Sequence, residues 1–262
     1  RRPTLDEEQR RDFQARMRDP EQARAFKAAV REYQEQFNHR IDIDLLNGRE
    51  LADAGLDTSG FALLPHASAV SDWEDAEQVR NIYYAEMADL LRSLTGASRC
   101  FVNGHVIRKS GGATKFPPFL EVHSDFTENY KEDLVRSLSS GVELTPTFGN
   151  FEAMLREGVT ADELRSARLL VVHAWRNADA GAPLRTFPLA VCDARSVGEE
   201  ELIRETVSGL QRYRMTYRPE HRWYWFPDML PDEVLLFQGF DSGRRRYAFH
   251  SAFAHPDVDV DG

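Results

Sequence analysis

One stretch of the chain places an imidazole and a carboxylate two residues apart. In Leu120-Glu121-Val122-His123-Ser124-Asp125-Phe126-Thr127, apolar residues alternate with polar ones up to the His-x-Asp triplet, and a polar turn follows. Residues two apart in an extended strand point to the same face, so His123 and Asp125 are expected to converge on one point. They would then form two thirds of the 2-His-1-carboxylate triad, which holds Fe(II) and leaves its other positions open.

A third ligand has to come from another part of the chain, and His250 is the best candidate. It lies in the aromatic, strand-like run Arg246-Tyr247-Ala248-Phe249-His250-Ser251-Ala252-Phe253, far downstream of the first stretch. A His-x-Asp triplet also arises by chance in a chain with eight His, and a His beside a carboxylate is often only a hydrogen-bonded pair. His105 and His173, in apolar runs, are interpreted as core or pocket-lining residues.

The elements between these two stretches are expected to bring them side by side. Capping residues and apolar stripes predict N-terminal helices that begin at Thr4 and Asp19, and a further helix from Asp72 to a closing Gly96. Helices are also predicted at about 128–138 and 150–166. Short apolar or aromatic runs predict strands at 41–46, 61–64, 100–107, 168–176, 187–193, 212–218, 221–226, 233–239 and 246–253.

Helices followed by many short strands indicate an α+β protein with a mainly β core. The strand count and lengths favour a double-sheet jelly roll, with flanking N-terminal helices. No repeat or linker divides the sequence, so residues 1–262 are expected to form a single domain. Within it, residues 1–58 would be an N-terminal helical layer packed on the barrel. Residues 59–262 would be the jelly-roll core, with a helical insert at about 127–166.

Composition excludes several classes of protein. The net charge of −10 over 262 residues argues against a nucleic-acid binder, which needs a basic face. No apolar run is long enough to cross a bilayer, and the N-terminal stretch does not have the pattern of a signal peptide. Two cysteines, Cys100 and Cys192, are too few for a disulfide framework, and reduced thiols predict a cytoplasmic protein.

Taken together, several segments carry a resemblance to a known family. They occur in order between about residues 60 and 256: Val122-His123-Ser124-Asp125-Phe126-Thr127, His173-Ala174-Trp175-Arg176, Phe187-Pro188-Leu189-Ala190-Val191-Cys192-Asp193-Ala194-Arg195-Ser196-Val197, Phe240-Asp241-Ser242 and His250-Ser251-Ala252-Phe253. With these segments the chain resembles the CmcJ/AsaB/gibberellin-desaturase-like family of iron- and 2-oxoglutarate-dependent oxygenases. The resemblance implies a double-stranded β-helix (a jelly roll of the cupin-like type) with Fe(II) held by His123, Asp125 and His250. It also implies 2-oxoglutarate and O₂ as co-substrates.

The resemblance also implies the oxidation of a small molecule in specialised metabolism, by hydroxylation, desaturation or ring formation. Halogenases of this architecture lack the carboxylate ligand, so the presence of Asp125 disfavours halogenation. The distal carboxylate of 2-oxoglutarate needs a cation, preferably a bidentate Arg. Relatives often have a Pro-Arg-x-Ser-Ile-Glu-like segment after the final His strand, and none follows here: either the end was trimmed or the last strand differs. Since no Arg follows His250 in the sequence, the cation is expected on another strand.

Two arginines are candidates for this anchor. Arg246 comes four residues before His250 and has the same strand parity, which favours it. Arg176 follows the apolar run that ends at Trp175. Two other functions remain open: a cupin-like metal-dependent dioxygenase or isomerase without 2-oxoglutarate, and a non-catalytic jelly-roll binding module. Dependence of turnover on 2-oxoglutarate separates the first from the oxygenase, and an anaerobic Fe(II) titration separates the second.

Overall fold

The computed structural model describes residues 19, 21, 24, 25, 41–109, 116–179, 181–207, 209–244 and 247–258. The chain divides into two compact units, Arg1–Asp44 and Leu45–Gly262, and the account below concerns the second. Most of the predicted N-terminal helical layer, residues 110–115 of the loop before the His-x-Asp stretch, and Arg246 lie outside the described residues. The packing of residues 1–58 on the barrel therefore stays a prediction.

Three sheets form the β part of the second unit. A four-stranded sheet has the order β1-β7-β4-β9, a three-stranded antiparallel sheet has the order β2-β8-β3, and a two-stranded sheet pairs β5 with β6. In the first sheet only β1 and β7 are parallel. The strands are β1 Leu45–Asn47, β2 Phe61–Pro65, β3 Leu170–Trp175, β4 Leu189–Cys192, β5 Leu202–Val207, β6 Leu210–Met215, β7 Trp223–Trp225, β8 Glu233–Asp241 and β9 His250–Ala252.

The two larger sheets share one apolar core. Its buried side chains come from both sheets: Leu189, Val191 and Tyr224 from the four-stranded sheet, and Phe61, Leu235 and Phe237 from the three-stranded one. Because successive side chains in a strand alternate between faces, the residues between these positions point outward. Two sheets with a common interior are the arrangement of a jelly roll, so the predicted fold class is confirmed.

Helices pack against the outward faces of these sheets. Helix α1 (Tyr84–Thr95) follows a helical turn at Ala76–Gln78 and a π-helical turn at Val79–Tyr83, and its segment packs on β8 residues such as Val234 and Leu236. The helical insert contains α2 (Tyr130–Ser140), α3 (Asn150–Arg156) and α4 (Ala161–Ser166), and it packs on the opposite side of the fold. No helix among the described residues is long and apolar enough to cross a membrane.

Several elements differ from the sequence-based predictions. Cys100–Ile107 was predicted as a strand but is irregular. The helix predicted at 150–166 is broken after Arg156, where Gly158 takes a left-handed φ of 68°. Strand β5 was not predicted, because exposed polar residues interrupt its apolar pattern. The His-x-Asp stretch is not a continuous strand, since only His123 and Ser124 form isolated β-bridges.

Candidate metal centre

A single β-bridge places the two histidines side by side. The backbone N–H of His123 donates to the carbonyl of His250 at 3.2 Å, and the N–H of His250 donates to the carbonyl of His123 at 3.0 Å. Residues that exchange both bonds in an antiparallel pair project their side chains from the same face. The two imidazole centroids are accordingly 4.3 Å apart. Strand β9 is held in this position by β4, through the pairing of Val191 with His250.

Asp125 completes a cluster of three possible ligands. One ligand atom from each of His123, Asp125 and His250 lies within 4.8 Å of the others. Nε2 of His123 is 3.5 Å from Oδ1 of Asp125, and Nε2 of His250 is 3.8 Å from Oδ2. The structure thus brings together the three residues that the sequence singled out.

The tautomer of each imidazole suits a metal ligand. Nδ1 of His123 lies 2.8 Å from the carbonyl of Glu121, and Nδ1 of His250 lies 3.2 Å from the carbonyl of Ala248. A carbonyl oxygen can only accept a hydrogen bond, so Nδ1 carries a proton in both rings, and in the neutral form of each imidazole Nε2 keeps its lone pair. Two Nε2 acceptors and a carboxylate that face one another have no proton to share, and a cation satisfies all three.

The charge states of His250 and Asp125 also suit the binding of a cation. Burial, followed by repulsion from His123, lowers the pKa of His250 to about 3, so this imidazole is neutral at physiological pH. Burial alone would raise the pKa of the Asp125 carboxyl. Interactions with His123, His173 and His250 outweigh it, however, and hold that pKa well below its usual value. A neutral imidazole and an ionised carboxylate are the forms that bind a divalent metal.

A third histidine lies against the cluster. His173, on β3, has its Nε2 3.2 Å from Oδ2 of Asp125. Its ring stacks on Phe237, with centroids 4.8 Å apart, and on Phe126, with centroids 5.9 Å apart. Sequence analysis treated His173 as a core or pocket-lining residue, and its contact with Asp125 was not predicted. The alternation along β3 indicates that it faces inward, but not which residue it meets.

A shallow pocket opens beside Asp125. Its lining combines polar and apolar side chains: Asp125, Phe126, Thr127, Tyr130, Asp133, Thr145, Pro146, Phe148, Gly209, Leu210 and Gln211. Phe148 has a left-handed φ of 57°, and its ring meets Phe126 edge-on at 5.5 Å. The side-chain amide of Asn103 donates to the Phe148 carbonyl at 2.8 Å, which supports this unfavourable backbone conformation.

The candidate anchors for 2-oxoglutarate have different outcomes. Arg246 lies outside the described residues, so its role stays a prediction. Arg176 does not face the sheet interior, and its role as an anchor also stays a prediction. Its guanidinium lies over the rings of Trp73 and Tyr83, at 4.8 and 5.3 Å, and donates to the carbonyl oxygens of His66 and Pro231. These contacts place it on the helix-covered face of its sheet.

Strand β6 carries an arginine on the ligand side of the chain. Ser124 and Tyr213 exchange two backbone hydrogen bonds of 2.9 Å, so their neighbours Asp125 and Arg212 lie across from each other on the opposite face. The Arg212 side chain is only 13% exposed, and one guanidinium nitrogen lies 3.2 Å from the Glu121 carboxylate. Sequence analysis did not single out Arg212, because nothing in the sequence indicates that β6 pairs with the His-x-Asp stretch.

Comparison with known proteins identifies the family. A family model described as "Oxidoreductase/YMDC permease-like domain" matches residues 6–262. The chain is 31% identical over 218 residues to the hydroxylase/desaturase efuI of Hormonema carpetanum, covering 76% of this chain and 71% of that protein. It belongs to the CmcJ/AsaB/gibberellin-desaturase-like family of iron- and 2-oxoglutarate-dependent oxygenases.

Further members of this oxygenase family give similar matches. The alpha-ketoglutarate-dependent dioxygenase phiK, from a fungal species, is 28% identical over 221 residues, covering 79% of this chain and 74% of that protein. A solved structure of the iron and alpha-ketoglutarate-dependent endoperoxidase NvfI superimposes with a TM-score of 0.63 at 22% identity. The match covers 84% of this chain and 78% of that one, and it supports the fold.

Proposed function

We propose that His123, Asp125 and His250 hold Fe(II) in an oxygenase that uses 2-oxoglutarate and O₂ to oxidise a small molecule of specialised metabolism. The observation that carries this proposal is the convergence of two Nε2 acceptors and one ionised carboxylate within 4.8 Å. Two imidazoles and one carboxylate are the donor set of non-haem Fe(II) oxygenases, which leaves metal positions free for co-substrate and O₂. Membership of the family supplies the co-substrate.

The protein residues act in this reaction by orientation. When bound, Fe(II) with O₂ converts 2-oxoglutarate to succinate and CO₂ and so supplies the oxidising power for the substrate. The carbonyl groups of Glu121 and Ala248 fix the two imidazoles with Nε2 toward the metal position. The hydrogen-bonded pair His123 and His250 fixes the spacing of the ligands. No side chain has to move to assemble this donor set.

The co-substrate requires a cation for its distal carboxylate, and Arg246 and Arg212 are our candidates for it. Arg246 is favoured by strand parity with His250. Arg212 is favoured by its position across from Asp125 and by its low exposure, and its present partners are the carboxylates of Glu121 and Glu205. An incoming carboxylate could take over hydrogen bonds from either glutamate. The 2-oxoglutarate concentration for half-maximal turnover, measured in Arg246→Ala and Arg212→Ala, distinguishes the two, because it should rise in the variant that lacks the anchor.

The organic substrate is proposed to bind in the pocket beside Asp125. Phe126, Pro146, Phe148 and Leu210 provide apolar contacts there, while polar groups such as Thr127 fix orientation. This lining favours a molecule that presents both apolar and polar groups. The relatives are named hydroxylases, desaturases, dioxygenases and an endoperoxidase, so hydroxylation, desaturation and ring formation are the candidate outcomes. Mass spectrometry of the product distinguishes a gain of oxygen from a loss of hydrogen.

Two measurements test the proposal. An anaerobic Fe(II) titration should show one metal site per chain, and aerobic incubation with 2-oxoglutarate should form succinate. His123→Ala and Asp125→Ala should lose both properties while keeping the fold. His105→Ala is a matched control, because His105 is exposed and contacts Tyr84 away from the cluster. If His123→Ala and Asp125→Ala each still bound one Fe(II) per chain, the metal site would lie elsewhere.

A further inference from the structure

The side chain of His173 has an unusual environment. Its Nε2 is buried, and among the described residues it has no regular hydrogen-bond partner. Oδ2 of Asp125 lies 3.2 Å from it. The other oxygen, Oδ1, lies on the side of His123. Nε2 of His250 lies 3.8 Å from Oδ2, so this oxygen is near both His173 and His250, and His173 is the closer of the two.

The surrounding residues hold the His173 ring in this place. The pairing of β3 with β8 sets His173 opposite Phe237, and the two rings stack with an interplanar angle of 27°. Phe126 lies roughly parallel to the imidazole, at an angle of 19°. Gly239 provides the space beside Nε2, because a Cβ added there would lie 2.7 Å from Nε2 and 2.9 Å from a ring carbon of Phe126. A methyl group at position 239 would therefore displace the imidazole.

We propose that His173 is a positioning residue that donates a hydrogen bond from Nε2 to Oδ2 of Asp125 and so leaves Oδ1 for the metal. This inference rests on the proposed metal site of His123, Asp125 and His250. Hydrogen bonds to the second oxygen of a ligating carboxylate fix its orientation, and their loss commonly weakens metal binding. A carboxylate restrained in this way also does not take a second metal position, which 2-oxoglutarate and O₂ require.

Two substitutions at position 173 separate this role from a packing role. The side-chain amide of Gln places a donor at nearly the position of Nε2, whereas the shorter amide of Asn ends near Nδ1. His173→Gln should bind Fe(II) about as tightly as the wild type in an anaerobic titration. His173→Asn should bind it about 10-fold to 100-fold more weakly. Both are polar and similar in size, so a difference between them does not come from general loss of packing. His105→Gln controls for loss of an imidazole elsewhere.

Gly239→Ala tests the same contact without changing the imidazole. Gly239→Ala should weaken Fe(II) binding. In the double variant with His173→Asn, the loss of Fe(II) affinity should be no larger than in His173→Asn alone, because both substitutions break the same contact. Equal Fe(II) affinity in the wild type, His173→Gln and His173→Asn would overturn the positioning role while leaving the metal site intact. A wild-type protein that binds no Fe(II) would overturn the metal site and this inference together.

A different role for His173 would be direct ligation of the metal. Pulsed EPR of the Cu(II)-loaded protein counts bound imidazoles, and the positioning role requires two in the wild type and two in His173→Asn. Three imidazoles in the wild type and two in the variant would make His173 a ligand and refute the proposal. Because this measurement uses the loaded protein without turnover, it does not depend on knowledge of the organic substrate.

Discussion

Metal binding should raise the thermal stability of this protein by a predictable amount. The ligands join two segments that are distant in sequence, His123–Asp125 and the β9 residue His250, so a bound metal connects parts of the fold that separate on unfolding. A ligand that binds only the native state adds about 2.7 kcal/mol at a free concentration of 100 times its dissociation constant. For a folded unit of 150–250 residues, each kcal/mol shifts the melting temperature by about 2–4 °C. Fe(II) should therefore raise it by roughly 5–11 °C.

The assay compares each variant with itself, with and without metal. His250→Ala removes a buried side chain that packs on Phe237, so it also lowers the stability of the metal-free protein. This loss of stability is present with and without metal, so it cancels in the metal-induced shift of the melting temperature. Under anaerobic conditions the wild type and His105→Ala should show the full shift, and His250→Ala should show little. A chelator should return the wild type to the metal-free value. A full shift in His250→Ala would refute the assignment of His250 as a ligand.

Three further predictions concern other parts of the fold. Asp241→Asn should lower the free energy of unfolding in urea by about 2 kcal/mol, because the fully buried Asp241 carboxylate accepts two hydrogen bonds from Arg168. A hydrogen bond from Arg49 lowers the pKa of Glu233 below its ordinary value of 4.5. The difference in free energy of unfolding between the wild type and Arg49→Gln should therefore be fully present above pH 4.5, the ordinary pKa of Glu233. It should shrink as the pH falls through the lowered pKa of this carboxyl. A pH-independent difference would contradict this prediction. Phe148→Ala should reduce substrate oxidation per succinate formed, whereas Leu155→Ala, equally exposed and outside the pocket, should not.

Strand alternation accounts for the part of the site that was predictable from sequence. The two-residue spacing of His123 and Asp125 predicted that they share a face, and the structure brings both to His250 although the stretch is a strand only at two bridges. The convergence survives because a single hydrogen-bonded pair fixes the side-chain direction at His123. Asp125 then needs only one extended residue between them to reach the same point.

The same alternation argues against Arg176 as the anchor for 2-oxoglutarate. Arg176 is three residues from His173, so the two lie on opposite faces of an extended segment. In the structure the inward positions of β3 include His173 and Trp175, while Val172 and Ala174 pack toward the helical residues Val79 and Tyr83. An arginine at the end of an apolar run can lie on either face of the sheet. An even or odd number of residues between it and a residue known to point inward decides which face it takes.

The contacts of His173 and Arg212 could not be obtained in this way, since alternation gives a face but not a neighbour. Arg212 reaches the ligand side because Tyr213 pairs with Ser124, which is far away in sequence, and nothing local to either segment specifies that pairing. His173 reaches Asp125 because β8 pairs with β3 in a register that places Phe237 beside the imidazole and Gly239 beside Nε2. A glycine inside a strand is a sign of close approach. In this protein the glycine of β8 marks the place where the sheet interior makes room for the histidine that meets the candidate metal ligand.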